Sequence, residues 1–426
     1  VAVNADGSVV AYFGKTDNAQ GLFTAIGQIV AEELDVPVKS VSVVMGDTAV
    51  TVNQGGASGS TGIKEGGRQM RLAAAEARRV LVALAAERLG LPAEQLAVTE
   101  GIVHDATDAA KRVSYAALVG GRYFNVQLDW NGRYGNPLYA PGKAKPKSVQ
   151  DYKIVGQPIK RSDIAPKVFA QQDYCTDVKV SGMLHGRMIR PAVAGAVPVK
   201  VDEGSIKDIP GARVVWETGF IGVVAEREWD AIKAARQIKI EWSDVAPPFP
   251  EQSALYDNIR SAPVRKREVD KREAGNVDAA FANARRVIAA EYEWPFQSHT
   301  SMGPACAMVE FKGGKATVWT GSAKPHFARD GVAAILGLPR EAVHGIWVPG
   351  PGAYGRNDAG DAAMDAAVLA QATGRPVRVQ YMRNEGTGWD PKGPASIHRA
   401  RAAIDPSGNV IAYEFTSKGF SRLDVN

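Results

Sequence analysis

The segment Gly14–Thr24 joins a strand-like stretch to a helical pattern and places the carboxamide of Gln20 at the junction, directly before Gly21. A carboxamide both donates and accepts hydrogen bonds, so Gln20 could bind a heterocycle or an oxo group. A polar side chain at this point can also cap its own helix. The residues alone leave both interpretations open.

A second candidate is an unbroken run of small residues that leads into a long helical pattern. The run consists of Gly55, Gly56, Ala57, Ser58, Gly59, Ser60, Thr61 and Gly62. Ordering such a run costs much backbone entropy. It is typical of a loop whose N–H groups line a phosphate or a pterin beside a helix N-terminus. The alternative is a flexible surface loop.

The third candidate, Gly350–Gly355, lies between a strand-like stretch and a helical pattern and matches the dinucleotide fingerprint G-x-G-x-x-G. Three features argue against a Rossmann loop. The motif lies late in the chain, it contains Pro351, and the acid that follows it, Glu385, comes after about thirty residues instead of about twenty. The other interpretations are a tight turn without a ligand and a loop whose amides approach an anionic or polar cofactor.

Other signatures of catalysis are missing from the sequence. His299 is a lone histidine at a turn, for which a structural role is the default, and neither H-E-x-x-H nor G-x-S-x-G occurs. The two cysteines, Cys175 and Cys306, exclude an iron–sulfur cluster held by four cysteines, a cysteine-rich zinc site and a disulfide scaffold. Electron transfer would therefore need redox centres on partners.

Length and composition indicate a globular chain of about two to four domains, since 45% of the 426 residues are hydrophobic and 23% are charged. The net charge of +5 comes without a dense basic cluster, so we expect no nucleic-acid partner. No apolar stretch is long enough to predict a transmembrane helix, and no signal peptide is visible. The chain begins inside a strand-like pattern at Val1, which leaves room for a longer N-terminus with an export signal.

Hydrophobic periodicity divides the chain into blocks 1–145, 151–245 and 263–426, with a linker over 130–150. The first block predicts a hairpin (Val1–Tyr12), helices (Gly21–Leu34 and Gly67–Leu89) and a strand (Val41–Met45). The second predicts a small α/β or α+β domain with strands at Val178–Val180, Met183–Ile189, Ala212–Trp216, Ile221–Ala225 and Ile238–Trp242 and a helix at Trp229–Arg236. The third predicts strands at Arg286–Trp294, Ala305–Phe311, Lys315–Gly321, Val343–Val348 and Pro376–Met382, helices at His326–Leu336 and Ala359–Ala372, and a last hairpin of Ala400–Ile404 with Val410–Phe415.

Several segments together resemble one family. They are Gly14–Thr24, Gln28–Val36, Met45–Thr48, the small-residue run up to Gly67, His299–Pro304, Gly350–Gly355 and Gly374–Val379. They resemble the large molybdopterin-binding subunit of the xanthine dehydrogenase family of molybdenum hydroxylases, in the type that includes isoquinoline 1-oxidoreductase, nicotinate dehydrogenase and membrane-associated aldehyde dehydrogenases. The resemblance covers essentially the whole chain. It implies an α+β, multi-domain architecture, with molybdopterin-binding segments 1–145 and 263–426, a hammerhead-like small domain at 151–245, and an incomplete C-terminus.

The resemblance also implies roles for matching residues. Gln20, beside Gly21, matches the glutamine that contacts the molybdenum centre and the pterin, although Ala19 stands where the family usually has glycine. The loop Ala57–Gly62 matches the loop around the pterin and nucleotide, and Tyr354 and Gly355 match an aromatic–glycine pair whose amides lie near an oxo ligand. The implied cofactor is molybdopterin with Mo, in the cytosine dinucleotide form, whose dithiolene ligates the metal without a protein ligand.

The family's catalytic glutamate, which lies in a Gly-x-Gly-Glu setting, has no match in this sequence, so the resemblance assigns no catalytic residue. The implied activity is oxidation of an aldehyde or an N-heteroaromatic compound with water as the oxygen source. The alternatives are a non-catalytic scaffold half of such a complex and an NAD-dependent dehydrogenase. The implied partners are a small [2Fe–2S] subunit, often a c-type cytochrome subunit with haem, and a separate C-terminal half of the large subunit. The branch favours a periplasmic or membrane-associated location that faces the periplasm, with the cytoplasm as the alternative.

Overall fold

The computed structural model describes residues 1–119, 143–217, 219–267, 275–350, 352–354 and 359–420. Its helices are α1 (Leu22–Leu34), α2 (Arg68–Leu89), α3 (Tyr115–Val119), α4 (Ile164–Val168), α5 (Glu228–Gln237), α6 (Leu255–Ser261), α7 (Val277–Ala282), α8 (Pro325–Ile335), α9 (Ala359–Thr373) and α10 (Arg383–Trp389). Its strands are β1 (Ala2–Val3), β2 (Val9–Phe13), β3 (Val41–Met45), β4 (Leu96–Thr99), β5 (Ile102–Asp105), β6 (Arg112–Ser114), β7 (Leu184–Met188), β8 (Pro198–Asp202), β9 (Arg213–Glu217), β10 (Phe220–Ala225), β11 (Lys239–Trp242), β12 (Arg286–Trp294), β13 (Cys306–Lys312), β14 (Lys315–Thr320), β15 (Val343–Trp347), β16 (Val377–Gln380), β17 (Ser396–Ile404) and β18 (Val410–Gly419).

Segments that are distant in sequence combine into two compact units. Within the described residues, unit 1 draws on Val1–Ile189, Asp202–Lys239 and Thr300–Gly386, and unit 2 draws on Arg190–Val201, Ile240–His299 and Thr387–Asn426. These units differ from the consecutive blocks 1–145, 151–245 and 263–426, because strands of the second and third blocks pair with each other. The block boundaries stay a prediction. The α+β, multi-domain fold class is confirmed.

The first sheet of unit 1, β1-β2-β3, forms from the predicted hairpin and strand. Val9, Ala11 and Phe13 are fully buried because alternate residues of a strand face the same side. The apolar face of α1 packs into the same core, and α2 packs beside α1. β2 and β3 are parallel, with Phe13 opposite Met45. The loops that follow these strands therefore leave the sheet at the same edge.

A second sheet of unit 1 has the strand order β15-β14-β13-β16-β7-β10-β9 in the described part of the chain. β16 pairs antiparallel with β13 and parallel with β7, and so joins strands of the second and third blocks. Alanine-rich α9 packs on this sheet with Ala362, Ala366 and Leu369 fully buried. The predicted strand Val178–Val180 is irregular, whereas the other predicted strands of the second block lie within two residues of their expected bounds.

Unit 2 contains the sheet β12-β17-β18. Its core includes Leu255 and Ile259 of α6 and Ala395 and Ile397 at the start of β17. The strand Arg286–Trp294 has the bounds that the sequence predicts. Within the described residues, no helix combines the length and the apolar character that a bilayer-spanning helix needs.

Candidate cofactor-binding site

The turn between β2 and α1 is stabilised by Asp17. Its Oδ1 accepts from the amide of Gly21 at 3.1 Å and its Oδ2 from the amide of Phe23 at 3.0 Å. The interpretation of Gln20 as the cap of its own helix is therefore wrong, because a carboxylate earlier in the turn already serves these amides. Gln20 is exposed, and its Oε1 accepts from the amide of Asn18. Its Nε2 donates to no residue in the described ranges.

Two residues of this turn have left-handed backbone conformations. Ala19 has φ of 76° and Gly21 has φ of 83°. Glycine adopts this region readily, but a residue with a Cβ does so at a cost of roughly 1 kcal/mol or more. The turn is therefore a strained segment that contacts from elsewhere must hold.

The run Gly55–Gly62, which we call the cradle loop, lies next to this turn. A Cβ at Gly62 would lie 3.1 Å from both Cδ atoms of Leu22, the first residue of α1. Residues 62–67 form a π-helical turn that continues into α2, so the cradle loop does precede a long helix. The amides of Gly59 and Ser60 donate to no acceptor among the described residues. They are thus available to an anionic or polar ligand.

Lys15 binds the cradle loop through two hydrogen bonds. Its side chain is 2% exposed, and its Nζ donates to the carbonyl of Gly56 and to Oγ1 of Thr61, both at 3.0 Å. Burial lowers the pKa of Lys15, while the field of Glu65 opposes this shift. Within the described chain, no carboxylate oxygen lies within 4 Å of Nζ. A buried cation without a counter-ion costs free energy, so an anionic ligand above the cradle loop would stabilise it.

Two further loops meet the cradle loop. The amide of Ala57 donates to the carbonyl of Ala323 at 2.9 Å, and a Cβ at Gly56 would lie 2.3 Å from Cγ of Lys324. This close approach explains why glycine is needed at Gly56. After β14, a Cβ at Gly321 would lie 2.7 Å from Cα of Gly350. The turn, the cradle loop and the segments 321–325 and 349–350 therefore form a continuous chain of contacts in unit 1.

Only part of the third candidate, Gly350–Gly355, lies within the described residues. Tyr354 is 58% exposed, and Gly355 lies outside the described residues. The preceding strand β15 is at the edge of its sheet, and β16, which follows α9, is separated from β15 by β14 and β13. A Rossmann unit places its consecutive parallel strands side by side. This topology therefore gives no support to the NAD-dependent alternative.

The ligand roles of Gln20, Gly21, Ala57, Ser58, Gly59, Ser60, Thr61, Gly62, Tyr354 and Gly355 stay predictions. The sequence reasoning missed Asp17 and Lys15, although a lysine two residues after the buried strand Val9–Phe13 was a visible signal. It also missed Arg161, for which the linear sequence holds no such signal. Among the described residues, no group of three or more His, Cys, Asp or Glu side chains is arranged to hold a metal ion.

Comparison with known proteins defines the class of this site. Residues 1–156 match one molybdopterin cofactor-binding domain, and residues 261–419 match another. The turn and the cradle loop lie in the first match and the segments 321–325 and 349–354 in the second. The contacts described above thus join two molybdopterin cofactor-binding regions.

Similar proteins agree with this class. The chain is 37% identical to a nicotinate dehydrogenase component of Pseudomonas putida over 97% of its own length and 34% of the relative. It is 28% identical to the beta chain of isoquinoline 1-oxidoreductase from Brevundimonas diminuta over 95% of its length and 56% of the relative. It is 25% identical, over 96% of its length and 53% of the relative, to a membrane-bound aldehyde dehydrogenase of Gluconacetobacter polyoxogenes, whose name specifies pyrroloquinoline quinone.

The chain belongs to the xanthine dehydrogenase family of molybdenum hydroxylases, in the branch of these relatives. It spans about a third of the length of the first relative and about half the length of the other two.

Proposed function

We propose that this chain forms the molybdopterin-binding part of a molybdenum hydroxylase that oxidises an aldehyde or an N-heteroaromatic compound, with water as the source of oxygen. The relatives support this class of substrate, since they are named as a nicotinate dehydrogenase, an isoquinoline oxidoreductase and an aldehyde dehydrogenase. The observation that carries the proposal is Lys15, a buried cation without a carboxylate partner within 4 Å in the described chain, beneath a loop with two available amides.

The residues of the site fit a pterin with phosphate groups. The amides of Gly59 and Ser60 would donate to an anionic group, and Lys15 supplies positive charge behind them. Gln20 would donate from Nε2, because its Oε1 is already occupied by the Asn18 amide. When bound, the molybdenum cofactor supplies the redox centre at which the substrate is oxidised. The chain's own residues bind and orient this group, and we assign no catalytic residue among them.

The finer features of the cofactor and complex are part of the proposal. We infer the cytosine dinucleotide form because the resemblance to this family implies it. A small [2Fe–2S] subunit, a c-type cytochrome subunit and the remaining half of the large subunit would complete the enzyme, and a periplasmic or membrane-associated location follows the branch. The second candidate function is that of a non-catalytic scaffold half of such a complex.

The test is analysis of the chain isolated together with every chain that co-purifies. We expect stoichiometric molybdenum by inductively coupled plasma mass spectrometry and a fluorescent pterin after oxidative acid treatment, followed by turnover of aldehydes or N-heterocycles with an artificial electron acceptor. Molybdenum and pterin without turnover would favour the scaffold. A folded, intact complex without either would contradict the proposal.

A further inference from the structure

The side chain of Arg161 contacts the left-handed turn Ala19–Gly21, which precedes α1. Its Nη1 donates to the carbonyl of Ala19 at 3.1 Å, and a Cβ at Gly21 would lie 3.2 Å from its Nε. Its Nε and Nη2 donate to the two oxygens of Asp163 at 2.9 and 2.6 Å. Asp163 is 8% exposed, and Lys167 donates to it at 2.5 Å. This bidentate pair fixes the plane of the guanidinium.

The segment 147–163, which we call the strap, brings Arg161 to this position. It follows α1 from its last turn to its first. One carboxylate oxygen of Glu32 accepts from the amides of residues 153, 154 and 155 at 2.9, 2.6 and 2.9 Å. Near the other end, the amide of Ser162 donates to Oγ1 of Thr24 at 2.9 Å. The strap is therefore tied to the helix that carries the site, and Arg161 is its last contact with the turn.

The chemistry of the turn explains why such a contact matters. Ala19 is in a backbone region that alanine disfavours and glycine accepts. Without a restraint, the turn would populate other conformations and move the side chain of Gln20. Asp17 restrains the turn through the amides of Gly21 and Phe23, and Arg161 restrains it through the carbonyl of Ala19.

We propose that Arg161 is a positioning residue for the cofactor. It holds the Ala19–Gly21 turn in the left-handed conformation that fixes the backbone at Gln20, and its contact with the Ala19 carbonyl offsets the cost that alanine, unlike glycine, has in this conformation. The proposal rests on the proposed function, and it adds a residue outside the family segments that the sequence singled out. The apparent affinity of a ligand that needs one conformation of the turn falls in proportion to the fraction of molecules that keep this conformation.

The experiment compares wild type, Arg161→Ala, Arg161→Lys and the double variant Arg161→Ala with Ala19→Gly, each isolated with its co-purifying chains. We expect the pterin and molybdenum content per chain to fall at least about fivefold in Arg161→Ala, and about as much in Arg161→Lys, which keeps the charge but loses the fork. Ala19→Gly should restore most of the loss, because glycine accepts the left-handed conformation without help.

A second readout does not depend on the cofactor. Hydrogen exchange measured by mass spectrometry should become faster in the turn (residues 17–23) of Arg161→Ala while α2 keeps its wild-type rate. The matched control is Arg375→Ala, since Arg375 also donates to a backbone carbonyl, that of Gly182, and pairs with a carboxylate, Glu226, in the same unit. It should change neither cofactor content nor exchange in the turn.

The outcomes separate the two proposals. Wild-type complex without pterin would overturn the proposed function and this inference with it. Pterin in wild type and equally in Arg161→Ala, unchanged exchange in the turn, or a loss that Ala19→Gly leaves uncorrected would overturn only the role of Arg161.

Discussion

Lys15 and Arg187 are buried to the same extent in unit 1, each with 2% of its surface exposed, but their surroundings differ. Arg187 lies 3.3 Å from a carboxylate oxygen of Glu228 and 3.3 Å from one of Glu385. Arg378 shares Glu228 at 3.1 Å. Among the residues that the structure describes, Lys15 Nζ donates hydrogen bonds only to a carbonyl and a hydroxyl of the cradle loop. One region thus pairs its buried charge with carboxylates of the chain. The other, which we call uncompensated, has no carboxylate oxygen within 4 Å among the described residues and only the more distant field of Glu65.

The difference separates stability from binding. A compensated network connects elements, here β7, β16, α5 and α10, and its loss leaves buried charge behind. An uncompensated cation contributes little to the stability of the folded chain, but it contributes much to the binding of an anionic ligand. His326 is a third buried titratable group, and it is 4% exposed. Burial lowers the pKa of His326 to about 4. Arg329 lowers this pKa further, whereas Asp330 and Asp47 oppose the shift.

The largest effect is expected at the compensated network. Glu228→Gln leaves Arg378 without its carboxylate and removes one of two from Arg187, so we expect the free energy of unfolding to fall by about 3 to 5 kcal/mol. Urea unfolding followed by circular dichroism measures this. Glu226→Gln is the matched control, because Glu226 is 70% exposed and pairs with Arg375. It should cost less than about 1 kcal/mol. Equal losses in both variants would contradict the comparison.

The next effect is a pH dependence. His326 has a folded pKa of about 4 and an ordinary value of 6.5. Between these values the unfolded chain binds a proton that the folded protein does not, so the contribution of His326 is complete above pH 6.5 and is lost as the pH falls towards 4. The loss amounts to about 3 kcal/mol at most. His326→Gln should therefore make stability less dependent on pH in this window, as measured by unfolding at several pH values. Parallel curves for the two proteins would exclude this role.

At the uncompensated site, Lys15→Met should reduce bound pterin at least about tenfold while changing the stability of the empty chain by less than about 1 kcal/mol, because the lost hydrogen bonds and the lost cost of burying charge offset each other. Lys147→Met is the matched control. Lys147 is a cation paired with Glu32 and Asp35 in the same unit. It should lower stability and leave the pterin content of the folded fraction unchanged. The reverse pattern would show that Lys15 is structural.

Local sequence patterns predicted many of the strands and helices of this fold. Short runs of strand-forming residues predicted Val41–Met45 and Arg286–Trp294 with their observed bounds. The small-residue run pointed to the cradle loop. Pairing between β16 and β7 could not be predicted, because nothing local fixes which strands of different blocks become neighbours. Arg161 was missed for the same reason, since its partner Ala19 is far away in the sequence.

The smallest effect concerns Ser60, whose φ of 58° is also left-handed. If the cradle loop binds through its amides, the Ser60 side chain is dispensable. Ser60→Gly should then raise the free energy of unfolding by about 0.5 kcal/mol, the left-handed cost less the entropy of an added glycine. It should keep the wild-type pterin content, because the N–H group remains. Thermal unfolding and pterin fluorescence on the same preparation measure both quantities. A loss of pterin in this variant would mean that the hydroxyl, and not the backbone, contacts the ligand at this position.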